Sequence, residues 1–289
     1  MPRICFLINP KSGTDRRQDV PALIAQHIDK SVADYEIRLT EYAGHAETLA
    51  RQAAAEGFRT VVAVGGDGTV NEVGRGLLGT AAALGIVPRG SGNGLARHLR
   101  IPLALPAAVR RMCRPEFQRI DVGHINGRAF FCTAGLGFDA HVSKMFAQAG
   151  TRGLSTYVKV ALREYRHYQP TAVAVTLNGQ TLHTDCYVLA FANAAQYGNN
   201  AYIAPLADIR DGLLDLCLID SLPIVRAVRV SLGLALGNLP ASGAAVFHTS
   251  RHIRVQAAAP LGFHIDGDYA GDAQEFEVAL TPLALEVAK

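Results

Sequence analysis

The chain has 289 residues, of which 49% are hydrophobic and 18% charged, and a formal net charge of +3. That length suits two ordinary domains or one large one, and the composition supplies a large core and excludes intrinsic disorder. So small a positive excess gives no ground for nucleic-acid binding. Five cysteines, at positions 5, 113, 132, 186 and 217, have neither metal-ligand nor redox-motif spacing. They read as reduced, mostly buried thiols of a cytoplasmic protein. No signal peptide is visible, and the longest apolar stretch, Val225 to Phe247, is broken by Arg226, Arg229, Asn238 and Pro240. A membrane-spanning helix needs about 20 nearly uninterrupted apolar residues. The expectation is a soluble cytoplasmic chain that touches a membrane only peripherally, on its inner face. The histidines read as scattered surface or core residues, and no zinc is predicted.

Taken in chain order, Arg3 to Ile8 is a strand that ends at Asn-Pro. Gln18 to Asp29 is a helix, with Asp19 and Pro21 suited to its start. Tyr35 to Thr40 is a second strand. Ala46 to Glu56 is an alanine-rich helix stopped by Gly57. Thr60 to Val64 is a buried strand, Thr69 to Leu78 a helix, and Leu84 to Val87 a fourth strand. This alternation predicts a parallel sheet flanked by helices. Near Asp121 the texture changes. Asn126-Gly127 and Asn178-Gly179 each sit between strand-like segments, the second pair between Ala172–Thr176 and Thr181–Ala192. Asn-Gly in that setting predicts tight hairpins, because both residues accept positive φ. Two helices, Gly153 to Tyr168 and Val225 to Leu236, interrupt this antiparallel half. The division predicted is an α/β domain over 1–122, with 283–289 able to return to it, and a β domain over 123–282.

The strongest chemical signal is Val64-Gly65-Gly66-Asp67-Gly68-Thr69-Val70-Asn71-Glu72, an apolar strand running through a glycine-rich turn into a helix. Glycines let the backbone approach a ligand, and backbone N–H groups at a helix start favour phosphate. A carboxylate among those glycines suits Mg²⁺ or an oriented hydroxyl. Two further polar segments follow strands: Asn9-Pro10-Lys11-Ser12-Gly13 and Pro88-Arg89-Gly90-Ser91-Gly92-Asn93-Gly94. Three such loops at the carboxyl edge of a parallel sheet make a phosphate site.

These three motifs resemble those of the diacylglycerol kinase catalytic family, which includes bacterial lipid kinases, sphingosine kinases and ceramide kinases. Further matches in order are Ile120-Asp121-Val122-Gly123, Ala134-Gly135-Leu136-Gly137-Phe138-Asp139-Ala140, Asp211-Gly212-Leu213-Leu214-Asp215 and Ile265-Asp266-Gly267-Asp268. The resemblance covers almost the whole chain. It implies a Rossmann-like α/β nucleotide domain followed by an antiparallel β-sandwich, and ATP-dependent phosphorylation of a lipid hydroxyl with Mg²⁺. By resemblance, Asn9, Lys11, Ser12, Gly13, Thr40, Gly65, Gly66, Asp67, Gly68, Thr69, Asn71, Glu72, Gly90, Ser91 and Asn93 would hold the nucleotide. Asp67 would lie at the catalytic centre and Asp121 in an acidic network around the metal. Asp139 either contacts the lipid headgroup or caps a helix over His141 to Ala147. Asp208, Asp211 and Leu213 would hold a structural Mg²⁺ through the Asp211 carboxylate and the carbonyls of 208 and 213; the same segment also reads as a plain polar turn.

Two departures stand out. The family's Asp-Gly-Glu is Asp266-Gly267-Asp268 here, so its general base would be one methylene shorter. A misplacement of about 1 Å can cost ~100-fold in rate, which leaves the role to Asp268, Asp67 or Asp121. The form Gly90-Ser91-Gly92-Asn93 is closer to sphingosine kinases than to most bacterial members. Lys11 and Arg97 are the cations near the loops. The basic segment 153–168 reads either as a membrane-surface helix or as cover for the second sheet. NAD kinase carries the same Gly-Gly-Asp-Gly-Thr and is the first rival; a catalytically weak lipid- or nucleotide-binding protein is the second. The expected partner is a lipid at a membrane surface, with no protein partner implied.

Overall fold

The protein is described by a computed structural model covering residues 1–13, 19–150 and 153–289. It divides into two compact units, Met1–Ile120 with Leu283–Lys289, and Asp121–Pro282.

The first unit alternates strand and helix: β1 (Arg3–Ile8), α1 (Val20–His27), β2 (Asp34–Leu39), α2 (His45–Ala55), β3 (Thr60–Gly65), α3 (Asp67–Leu77), β4 (Ala83–Pro88), α4 (Gly94–His98) and α5 (Leu105–Cys113). Asp19 caps α1 by accepting from Ala22 N, with proline in the first turn; the expected start at Gln18 lies outside the described residues. β1 pairs in parallel with β2 and β3, and β3 with β4. At the end of the chain, Val287 and Ala288 pair in parallel with Leu84 and Gly85. β3 and β4 are buried throughout, as strands covered on both faces must be. The register aligns Ile8 with Leu39 and Val64, and Gly65 with Pro88, so β1 to β4 end at one edge.

The second unit is antiparallel. Its strands are β5 (Phe117–Ile125, whose first residues belong to the first unit), β6 (Arg128–Phe130), β7 (Thr133–Gly137), β8 (Thr171–Leu177), β9 (Gln180–Cys186), β10 (Val188–Ala192), β11 (Leu214–Ile219), β12 (Val246–Ser250), β13 (His252–Ile265) and β14 (Asp268–Ala288, whose last residues belong to the first unit). The helices are α6 (Phe138–Gln148), α7 (Leu154–Glu164) and α8 (Ile224–Leu236). β13 pairs with β8 over its first half and with β7 over its last residues, changing neighbour at an irregularity between Gln256 and Leu261. This switch divides the strands between two layers of a sandwich.

β10 and β11 are buried on both faces. Leu189, Phe191, Leu214, Leu216 and Leu218 face the sandwich interior with Phe130, Phe263 and Phe276. Val188, Ala190, Cys217 and Ile219 face the other way, toward Val230 and Leu234 of α8 and Tyr165 and Tyr168 beyond α7. The outer strands β8 and β9 alternate, with Val173, Val175 and Leu177 inward.

Several elements depart from expectation. The predicted strand Thr181–Ala192 is two, because at Tyr187 the chain leaves β8 for β7 and β11; Tyr187 N donates to Ile219 O and its carbonyl accepts from Phe138 N. α4 and α5 lack the long apolar periodicity that marks a helix in sequence, and α6 is longer than His141–Ala147. Both Asn-Gly pairs form the expected turns, with φ of 48° and 75° at 126–127 and 49° and 77° at 178–179. All five cysteines are buried thiols. No helix of the described residues is long and apolar enough to cross a membrane.

Phe191 is fully buried in the sandwich interior. Phe191→Ala is expected to destabilise the protein by about 3–5 kcal/mol, read as a lower midpoint of urea unfolding monitored by circular dichroism.

Candidate active site

The common strand edge of the first unit gathers the loops that the sequence marks. After β1, the Asn9 side chain organises its own turn: Oδ1 accepts from Lys11 N at 2.9 Å and the carbonyl accepts from Ser12 Oγ at 2.7 Å. Asn9 Nδ2 reaches across to Thr69 Oγ1 of α3 at 3.1 Å. Thr40 continues the edge beside β1, its N–H donating to Ile8 O. Between the third and fourth strands the backbones nearly touch. A Cβ on Gly90 would lie 2.6 Å from the Gly66 Cα, and one on Gly66 would lie 3.1 Å from the Gly90 Cα. Only glycine permits that approach.

Asp67 locks the approach. Its Oδ2 accepts from Asn93 N at 2.9 Å and its Oδ1 from Gly94 N at 2.8 Å. Asn93 stands in the left-handed region and its amide exchanges two bonds of 2.8 Å with the Gly90 backbone. The Arg97 Nε braces the loop on Gly92 O. α3 therefore begins at Asp67, two residues before the expected Thr69, with Gly66 as its extended N-cap. The N–H groups of Gly68 and Thr69 in its first turn lie outside the helix's own ladder, at its positive end. Ser91 and the Lys11 side chain are exposed, while Gly13 lies against the Arg89 guanidinium. Asn71 is buried within α3. Glu72, expected at the nucleotide, is engaged elsewhere: its two oxygens accept from Gly44 N and Ala46 N at the start of α2.

The second unit holds a separate acidic hub around residues 131–133. Asp266 accepts from the N–H groups of Phe131, Cys132 and Thr133 at 2.8–3.1 Å, and its own N–H donates to Thr133 O. Asp266 (φ 46°) and Gly267 (φ 86°) form the tight turn between β13 and β14. Asp268 follows as the first residue of β14, with an exposed side chain. From the other side, Asn193 Nδ2 donates to Phe131 O and to Asp121 O, while its Oδ1 meets no partner among the described residues. Asp121 is completely buried, and its Oδ2 accepts from Gly212 N at 2.8 Å. The hub thus ties Asp121, the 208–213 segment and the Asp268 turn together.

In that segment Asp211 Oδ1 accepts from Leu213 N, Asp208 Oδ1 from Arg210 N, and the Asp208 carbonyl from Asp211 N. The neighbouring Asp215 carboxyl is pushed up to about 6, by burial first and by the Asp211 charge second. Among the described residues no group of three or more His, Cys, Asp or Glu side chains gathers to hold a metal, and the expected Mg²⁺ segment is a polar turn whose carboxylates bond to its own backbone.

Asp139 is interior, 8% exposed. Its Oδ2 accepts from Tyr197 Oη at 2.9 Å and meets His264 Nε2 at 3.1 Å. Gly267 N donates to the His264 Nδ1, which leaves Nε2 to carry the proton toward Asp139. Burial, and then the Asp139 charge, push the Tyr197 hydroxyl far above its ordinary value. Asp139 so engaged supports the hairpin turn through His264, and Gly137, not Asp139, is the N-cap of α6.

Comparison with known proteins decides the family. Residues 3–125 match the diacylglycerol kinase catalytic domain, and residues 132–289 match the YegS C-terminal NAD kinase beta sandwich-like domain. A Chromohalobacter salexigens protein named "Probable lipid kinase YegS-like" is 32% identical over 87% of this chain and 83% of its own length. The chain belongs to the diacylglycerol kinase catalytic family. It is thereby an enzyme of the lipid kinase class. A Bacillus subtilis diacylglycerol kinase is 27% identical over 94% of this chain and 91% of its own. In fold, a crystal structure of a diacylglycerol kinase from Bacillus anthracis superposes with a TM-score of 0.73 at 18% identity, over 99% of this chain and 96% of that one.

Within this family member, Asp266, Asn193, Tyr197 and His264 are site-supporting residues that sequence reading missed. For Asp266 the signal was present, since Asp-Gly between two strands is a hairpin signature. Two outcomes follow. Gly90→Ala is expected to destabilise the protein by about 1–3 kcal/mol by forcing the Gly66 and Gly90 backbones apart, read as a lower midpoint of urea unfolding. Asp215 holds its proton more tightly folded than unfolded, so stability falls as pH rises from about 4 to about 6. Asp215→Asn should flatten that limb of a Tm–pH curve in metal-free buffer and raise Tm at neutral pH.

Proposed function

We propose that this kinase transfers the γ-phosphate of ATP to the hydroxyl of a lipid, diacylglycerol-like or sphingoid-like. The observation that carries the reading is the Gly66–Gly90 contact clamped by Asp67, at a strand edge that also bears the Asn9 turn. That arrangement fixes the first-turn N–H groups of α3 beside a stretch of backbone without Cβ atoms, which is what a run of phosphates requires. In this reading the first unit is the nucleotide domain and the second the lipid domain. The names of the relatives, two of them lipid or diacylglycerol kinases, support the acceptor class.

The chemistry then divides among the residues. The N–H groups of Gly68 and Thr69 hold the phosphates, with the Asn9 turn, closed on itself, bringing Lys11 beside them as the exposed cation. The lipid oxygen attacks the γ-phosphorus as the bond to the ADP oxygen breaks. The hydroxyl proton passes to the Asp268 carboxylate, which the Asp266 turn presents at the surface. Mg²⁺, when bound, would neutralise charge on the phosphates; Asp67 would meet it only through the lone pairs that its two backbone bonds leave, and Asp211 with the carbonyls of Asp208 and Leu213 would hold a structural ion. NAD kinase remains the competing reading, favoured by the description of the second domain's match.

Incubation with γ-labelled ATP, Mg²⁺ and a panel of lipid alcohols in mixed micelles tests this. Labelled lipid is expected, and label on NAD instead would overturn it. Asp268→Asn should lower kcat at least about a hundredfold with ATP affinity intact. Asp67→Asn should lose both, because an amide NH₂ would face the Asn93 or Gly94 N–H.

A further inference from the structure

α8 is buried along one side only. Val230 and Gly233 face the core, whereas Ile224, Val225, Val228, Leu232 and Leu236 are 56–72% exposed. At 3.6 residues per turn, these five span an arc of about 120° on the outer side of the helix. A helix that merely covers a sheet carries polar residues there. The only charged residues of α8 are Arg226 and Arg229, and it has no acid. Arg229 is exposed and borders the arc; Arg226, further round, is bonded to Asp220 and the Ala244 carbonyl. α7 repeats the pattern, with Leu154, Val158 and Leu162 exposed in one row and Lys159 and Arg163 beside them. Its one acid, Glu164, is taken up by His141 and Arg163. Tyr165, just past α7, donates to Leu222 O before α8 at 2.7 Å, and Tyr165 and Tyr168 share an apolar cluster with Val230 and Leu234 of α8.

We propose that the outer face of α8 docks on an anionic bilayer, lying in its interface with Val228 and Leu232 among the acyl chains and Arg229 among the phosphates. Charge decides the occupant. A second copy would set Arg229 and the apolar arc against their own image, with no acid on either helix in answer. Anionic head groups over acyl chains satisfy both features at once. The purpose of such docking rests on the lipid-kinase reading, since it would hold the enzyme where its acceptor resides; the geometry does not.

The test uses the full chain and flotation with vesicles of phosphatidylcholine, alone or mixed with phosphatidylglycerol. The wild type is expected to float with the mixed vesicles. Val228→Ser with Leu232→Ser, both at exposed positions and checked for unchanged Tm, should lose at least about tenfold in partitioning. Arg229→Glu should reduce binding to the mixed vesicles more than to the neutral ones. Activity of the double variant toward a monomeric short-chain lipid alcohol should stay at the wild-type level. Failure of the wild type to float, undiminished flotation of the double variant, or a wild-type dimer that the double variant dissolves in light scattering would each overturn the proposal. Helix-dependent flotation without phosphorylation of any lipid would uphold docking and sink the kinase reading. Lipid phosphorylation with helix-independent flotation would do the reverse.

Discussion

Two backbones can come within van der Waals distance only where neither carries a Cβ, and at Gly66 and Gly90 that condition governs the geometry around it. The approach closes the gap between the ends of β3 and β4 and brings the start of α4 under Asp67. Asp67 then spends both carboxylate oxygens on backbone N–H groups, a charge-assisted clamp that also suits the positive end of its own helix. The Asn93 side chain repeats the clamp on a smaller scale from within the loop. A phosphate-binding surface made of main chain needs such fixing, because N–H groups bind an anion only if the loop does not have to reorganise to present them.

The second unit solves a related problem with carboxylates instead of glycines. Asp266 gathers three successive N–H groups of the 131–133 segment, and Asn193 links the same segment to Asp121. Residues far apart in the chain are thus registered against one short stretch of backbone. Two acids separated by a single glycine have opposite fates: Asp266 is consumed in the turn and Asp268 is left exposed. Chain direction through a two-residue turn is enough to separate them.

Local chemistry explains what could be read in advance. The buried strands Thr60–Gly65 and Ala83–Pro88 are apolar runs, the Asn-Gly turns declare their positive φ, and the glycine loops sit where parallel strands must end. The family motifs located the fold's two halves for the same reason, since they lie at loops whose conformations tolerate few residues. What escaped was set by distant partners. Nothing local at Tyr187 shows that the chain changes neighbours there, and nothing near Glu72 announces that it serves the start of α2. Asp139 in a family segment invited a ligand role, yet its partners Tyr197 and His264 come from strands and loops far along the chain.

That last trio has an evolutionary corollary. A buried carboxylate with a phenol and an imidazole as its donors has few acceptable one-step neighbours in sequence. Loss of the acid strands two buried donors, and loss of either donor leaves the charge under-solvated. Only a concerted replacement by three apolar residues would restore a satisfied interior, and the intermediates are all worse than either end. Positions 139, 197 and 264 should therefore drift together or not at all, and a statistical coupling among them across relatives would record packing of the hairpin turn rather than choice of substrate.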